Sequence, residues 1–283
     1  MTTDPSAKFR SLTSKFDRLR DSTTFASVTR ELSDLSATVM KLPGEVAKIR
    51  TRGYAFRSYL EHKAEVISER WDEVRQSAER ALEQEREPLR AQLRNLEQKM
   101  DMIRQAVTGS PAKAESLITD MDSNVTELEK RISSSDTLIK GHYSSLRQDI
   151  QQTQSQINEI NWIMDQKDEA SFSFLAGETV FLAAKAQWVT GKDNPEGMLF
   201  LTDQRLIMEQ KQKVGKTLGI FGGKKVQDVS WEVPLHQVEK VEFENKGFFG
   251  GKDMLYFTLG SGASYPKITV EVKGSANCKF WAA

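Results

Sequence analysis

The sequence predicts an α+β chain of two modules: a long antiparallel helical hairpin of coiled-coil type, followed by a small antiparallel β-barrel or sandwich. Three observations carry that expectation. Residues 1–170 hold 4 of the 17 glycines and 9 of the 24 aromatics, and residues 171–283 hold the rest in a shorter span. Before that switch, apolar residues recur three and four apart, the period of a helix seam. After it, short apolar runs alternate with turn residues, the pattern of pleated strands. The boundary is placed between Lys167 and Glu178. The modules expected are short N-terminal helices over 1–44, a coiled-coil hairpin over 45–170 and a β-domain over 172–283.

Residues 5–42 carry Phe9, Leu12, Phe16 and Leu19, then Phe25, Val28, Leu32, Leu35, Val39 and Leu42. They are read as one or two short helices packing near the base of the hairpin. Leu42-Pro43-Gly44 is the first strong break, because proline removes a donor and glycine loosens the backbone. A seam follows through Val46, Ile49, Gly53, Phe56 and Leu60, then Ile67, Trp71, Val74 and Ala78, then Leu89, Leu93, Leu96, Met100, Ile103 and Val107. Pro88 inside this run predicts a kink rather than a stop. Gly109-Ser110-Pro111 predicts the tip. The seam resumes at Ile118, Met121, Val125, Leu128 and Ile132, passes Ile139, His142, Leu146 and Ile150, and ends at Ile157, Ile160 and Met164. Two steps of four from His142 to Ile150 shift the phase as a stutter does, and put His142 on the stripe as a register-fixing polar residue. A seam this narrow leaves two pairings open, within one chain or between chains, so self-association through the coiled coil is one expected partnership.

Seven strand candidates follow: Val180-Phe181-Leu182, Met198 to Leu201, Arg205 to Met208, Val229 to Val233, Val238 to Phe243, Met254 to Phe257 and Ile268 to Val272. Asn194-Pro195-Glu196-Gly197, Asn245-Lys246-Gly247 and Gly260-Ser261-Gly262 supply turns between them.

Composition narrows the function classes. Forty basic and forty acidic residues give a formal net charge of zero, which argues against a dedicated nucleic-acid binder. Cys278 is the single cysteine, so neither an internal disulfide nor a cysteine-based zinc site is expected, and a reducing, cytoplasmic setting fits. No run of 18 apolar residues exists, so membrane contact is expected to be peripheral. His62, His142 and His236 are scattered and lack ligand spacing. Gly-x-Ser-x-Gly is absent, and Gly219 to Gly223 followed by Lys224-Lys225 departs from a phosphate loop in both spacing and hydroxyl. No catalytic residue, metal, cofactor or small-molecule substrate is therefore expected, and the chain is read as not an enzyme.

The segment Gly197-Met198-Leu199-Phe200-Leu201-Thr202-Asp203-Gln204-Arg205-Leu206-Ile207 resembles the signature hairpin of GRAM and bacterial pleckstrin-homology-like domains. Val233-Pro234-Leu235-His236-Gln237-Val238-Glu239-Lys240-Val241 is similar to the second marker of that family. The resemblance covers about residues 172–283 and implies a seven-stranded, strongly bent barrel closed at one end by a C-terminal helix. Ala276 to Ala283, with Phe280 and Trp281, supplies only the start of that helix, which is therefore short or truncated. Asp203 and Arg205 are read as turn and strand-edge residues that set the hairpin.

The resemblance also implies recognition through strand-connecting loops, and two loops fit. Lys211 to Lys225 carries Lys211, Lys213, Lys216, Lys224 and Lys225, no acidic residue, and Phe221 near its middle. Lys246, Phe248, Phe249 and Lys252 repeat the recipe. Basic loops with apolar tips suit an anionic bilayer, each lysine contributing about 1 kcal/mol near the surface. The leading expectation is a peripheral scaffold or adaptor that binds anionic lipid. The alternative is a soluble protein–protein interaction module whose barrel binds a peptide or packs on its own coiled coil.

Overall fold

The structure is a computed structural model that describes residues 4–191, 193–213, 225–245, 252–274 and 278–282. Five helices come first: α1 (Pro5–Ser22), α2 (Ala26–Thr51), α3 (Tyr59–Gly109), α4 (Pro111–Gly141) and α5 (Ser144–Asp168). Seven strands follow: β1 (Val180–Trp188), β2 (Glu196–Thr202), β3 (Arg205–Lys213), β4 (Lys225–Pro234), β5 (Val238–Glu244), β6 (Asp253–Leu259) and β7 (Lys267–Val272), then the short α6 (Lys279–Ala282). The layout is α+β. The chain packs as two compact units, one of residues 1–43 and 61–154, the other of residues 44–60 and 155–283.

The helical unit is a three-helix bundle. Lys63 reaches Gln152, Ser77 reaches His142 and Glu85 reaches Ser135. One partner's number rises along α3 as the other's falls along α4 and α5, so the two legs are antiparallel about Ser110. The segment α1–α2 forms the third leg. Lys8 pairs with Glu115, Lys15 with Asp122 and Glu31 with Arg147, all rising together, so this leg is parallel to α4–α5. Because Glu115 lies just beyond the tip, α1 begins beside the tip rather than at the base as expected. Leu12, Phe16, Val28, Leu32, Trp71, Leu89, Met121, Val125 and Ile139 are all buried. The seams are filled within one chain.

Two local expectations change. First, α2 runs straight through Leu42-Pro43-Gly44. An interior proline costs about 3 kcal/mol, but Leu42, Val46 and Ile49 are almost fully buried across the site, each contributing about 1.5–3 kcal/mol. The helix instead ends at Gly53, whose φ is +91°. Gly53 N–H bonds the Arg50 carbonyl and Tyr54 N–H bonds the Ile49 carbonyl, the two bonds of a Schellman cap. Second, Tyr143 rather than His142 enters the seam. The helix breaks between α4 and α5, which turns His142 out to solvent and buries Tyr143, whose hydroxyl donates to Glu31 at 2.8 Å. Pro88 leaves α3 unbroken.

In the β-unit all described pairings are antiparallel, in the order β4-β3-β2-β1-β7-β6-β5. Among the described residues β4 and β5 do not pair, so the expected closed barrel is an open-edged sheet here. It nevertheless curls. Only Leu235–Gln237 joins β4 to β5, a reach of about 14 Å, whereas the edges of a flat seven-stranded sheet stand roughly 29 Å apart. Leu199, Met208, Trp231, Leu255, Phe257, Val270, Cys278 and Trp281 accordingly share one core.

Candidate functional site

The residues 170–178 that enter the sheet form a strap over the outer face of β2 and β3. Phe172 and Phe174 lie edge-on to Phe200 at 5.7 and 6.0 Å. A buried ion pair fixes one end of this strap. Arg205 donates from Nε to Glu178 Oε1 and from one terminal nitrogen to Glu178 Oε2, both at 3.0 Å, and reaches the Ser173 carbonyl and Glu232. Glu178 also accepts from the Thr202 hydroxyl at 2.7 Å and the Leu175 N–H at 2.6 Å. Burial pushes its pKa up, but Arg205, Leu175 and Thr202 outweigh that and hold the carboxyl below the ordinary carboxylate value. Arg205 is thus consumed by its own strap and is no anion receptor. At the other end, buried Glu209 accepts from both the N–H and hydroxyl of Ser171, at 2.6 and 2.7 Å.

Helical segments of the same unit cover the start of β1. Arg50 donates to the carbonyls of Tyr54, Phe56 and Arg57, which locks the α2–α3 turn. Phe56 packs against Phe181 with ring centroids 4.7 Å apart and the rings tilted by 59°. Arg52 bridges Asp165 and Asp168, and Arg57 pairs with Glu159.

The ten residues singled out from the sequence fall into three groups. Lys216, Phe221, Lys224, Lys246, Phe248 and Phe249 lie outside the described residues. Lys213 and Lys225 face each other as the last register pair of β3 and β4. Lys211 and Lys252 are placed, and each meets carboxylates. Lys211 Nζ stands 3.8 Å from Glu169 and 4.0 Å from Glu209, and Lys252 Nζ stands 2.7 Å from Glu271. In the register Lys213 and Lys225 end β3 and β4 on the side of the β1–β2 turn, whereas Glu244 and Asp253, at the facing ends of β5 and β6, lie on the side of the end of β7.

Sequence reasoning missed Glu178, Glu209 and Glu271, all buried carboxylates. Only Glu271, an acid between Val270 and Val272 in a strand's period-two pattern, left a trace. Among the described residues no group of His, Cys, Asp or Glu is placed to hold a metal ion, and no helix is long and apolar enough to cross a membrane. Burial pushes the Cys278 thiol up to about 11.

No protein-family model matches the chain, and no curated protein matches it. Among solved structures the chain is similar to the crystal structure of the ternary complex between the human RhoA, its inhibitor and the DH/PH domain of human ARHGEF11. That similarity has 11% identity and a TM-score of 0.25, over 99% of this chain and 81% of that chain. A score that low carries no argument about fold or function.

Proposed function

We propose that the protein is a non-enzymatic scaffold whose β-unit, curled into a barrel of the pleckstrin-homology or GRAM kind, docks on an anionic membrane while the helical bundle gives reach. The observation that supports this is the β3–β4 hairpin. It stays paired out to Lys213 and Lys225, so the acid-free run between them, with Lys216, Phe221 and Lys224, is carried on a ladder nine residue pairs long. Lys211, held near two carboxylates, is left out of the docking set. Self-association is left out too, since the helical seams are buried within one chain.

Co-sedimentation of the full chain with vesicles tests this. Binding is expected to phosphatidylserine-containing vesicles, not to neutral ones, and to weaken with salt. Reversing Lys213, Lys216, Lys224 and Lys225 to glutamate removes about 1 kcal/mol each, so affinity should fall about a thousandfold. Equal recovery on neutral and anionic vesicles, unchanged by the reversals, would overturn the proposal. A second reading, a soluble protein-interaction module, is favoured by the packing of residues 52–57 and α5 against the sheet.

A further inference from the structure

Away from the β3–β4 loop, the register assembles a cationic row that no local stretch of sequence displays. Val272 of β7 pairs with Ala186 of β1 on one side and with Asp253 of β6 on the other. One residue along, Lys273 therefore stands between Lys185 and Lys252, all three on the same face. The Lys273 N–H donates to the Lys185 carbonyl at 2.8 Å. Neighbouring strands lie about 4.8 Å apart, and like charges directly opposite each other repel. A single carboxylate offsets this. Glu271, with only 8% of its side chain exposed, takes Lys273 at 2.5 Å and Lys252 at 2.7 Å. Burial pushes the Glu271 carboxyl up and both lysines pull it down, to below the ordinary value. Lys185 is exposed and has no ion pair among the described residues. Two of the three positive charges share one carboxylate, and the third stands beside them without one.

Beside this row runs a groove of about 700 Å³ between α5 and the outer face of β1. Lys185 and Lys273 form its cationic rim, Ala183 its floor, and Trp162 and Phe280 its apolar walls. Phe280 is 67% exposed. The one acidic group in the lining, Glu159, is already bound to Arg57 at 2.7 Å. Lys185 turns its carbonyl towards β7, and the alternation of a strand turns the backbone of Ala183 to the same side. Among the described residues no strand continues the ladder opposite Ala183.

From this geometry we infer that the groove is a docking site for an extended acidic peptide of a partner protein, with carboxylates on the lysine row and a large apolar side chain against Trp162 and Phe280. Charge complementarity selects the acids, and the aromatic walls distinguish a peptide from a bare anionic headgroup, which has nothing to set against them. The stretch of β1 at Ala183, which β7 does not reach, offers main-chain hydrogen bonds to such a peptide. This goes beyond the membrane reading and uses none of its four lysines.

The test is selection of a phage-displayed random dodecapeptide library on the full chain, followed by anisotropy of the fluorescein-labelled consensus peptide. The expected consensus has two or more acidic residues beside Phe, Trp or Leu. Its affinity should drop about tenfold in Lys185→Glu, the size of one lost charge-assisted contact, and by about the same factor in Phe280→Ser through lost apolar burial. Both positions are exposed, so neither change should disturb folding. Reversal of Lys213, Lys216, Lys224 and Lys225 should leave peptide affinity unchanged, which separates this inference from the membrane proposal. A consensus without acids, or a peptide that binds Lys185→Glu equally well, would refute it. So would a Lys185→Glu variant that loses phosphatidylserine vesicles and leaves peptide capture intact.

Discussion

The bundle and the β-unit solve the same problem with different chemistry. In the bundle, charge stays outside. Lys8–Glu115 and Lys15–Asp122 are half-exposed pairs of the kind that contribute about 0–1 kcal/mol, so the buried apolar seam holds the three legs. In the β-unit, charge goes inside. Arg205 and Glu178 have side chains 10% and 0% exposed, and they tie a strap to a sheet that would otherwise show Phe200 to water. An apolar seam tolerates the loss of any one surface charge. A buried pair does not tolerate the loss of one partner, because the other charge stays behind in low dielectric.

The largest effect that sharpens this contrast is Arg205→Met. It strands Glu178 in the interior and should cost about 3–5 kcal/mol, confined to the β-unit. Cys278 reports on it. The thiol is fully buried and its pKa is raised to about 11, so it should alkylate slowly until the unit opens. Thiol labelling should accelerate strongly in the variant while the far-ultraviolet helical signal keeps its own denaturation midpoint. The pH dependence has a definite sign. In the native protein the Glu178 pKa is lower folded than unfolded, so its contribution is present above the unfolded carboxylate value and is lost as pH falls towards the folded one. In Arg205→Met the deficit should be widest at neutral pH and narrow as acid protonates the stranded carboxyl. A variant as stable as wild type at neutral pH would dissolve the contrast.

Glycine gives a second test, in which one kind of substitution has opposite signs in a sheet and in a helix. At Gly197, paired with Gln210, an added Cβ would stand 1.8 Å from the Glu209 carbonyl oxygen and 2.8 Å from its carbon. Both are backbone atoms that cannot swing aside. Gly197→Ala should push β2 from β3 and cost about 1–3 kcal/mol. At Gly44, inside α2, an added Cβ meets nothing within 4 Å. Gly44→Ala should stabilise by up to about 1 kcal/mol through helix propensity. Paired urea titrations read both signs.

The same contrast explains what the sequence could tell. A helix seam is local, so Leu89, Leu93, Leu96, Met100 and Ile103 announce their shared face by spacing alone, and all are buried. Strands announce themselves almost as well, and each of the seven quoted runs lies within one of β1 to β7. Proline and glycine mislead where burial outweighs them. Leu42-Pro43-Gly44 looked like a stop because the flanking burial is visible only in three dimensions, whereas Gly53 looked like a seam residue because its spacing fits. The charged sites were the least legible. Glu178 and Arg205 are 27 positions apart, and Lys185, Lys252 and Lys273 come from three strands. Register alone makes them neighbours.

The smallest effect is the sharpest check on the bundle half of the comparison. Lys15 is the best-connected surface cation of α1, reaching Asp122 at 2.9 Å and the Thr126 hydroxyl at 3.2 Å on α4. If ion pairs held α1 in place, Lys15→Ala would release it. Screened pairs of this exposure are worth at most about 1 kcal/mol, and alanine regains some of that through helix propensity. The denaturation midpoint of the helical signal should therefore move hardly at all, whereas Phe16→Ala, one position along and buried, should cost about 3–5 kcal/mol. A Lys15→Ala loss as large as that of Phe16→Ala would mean that the bundle, too, is held by charge.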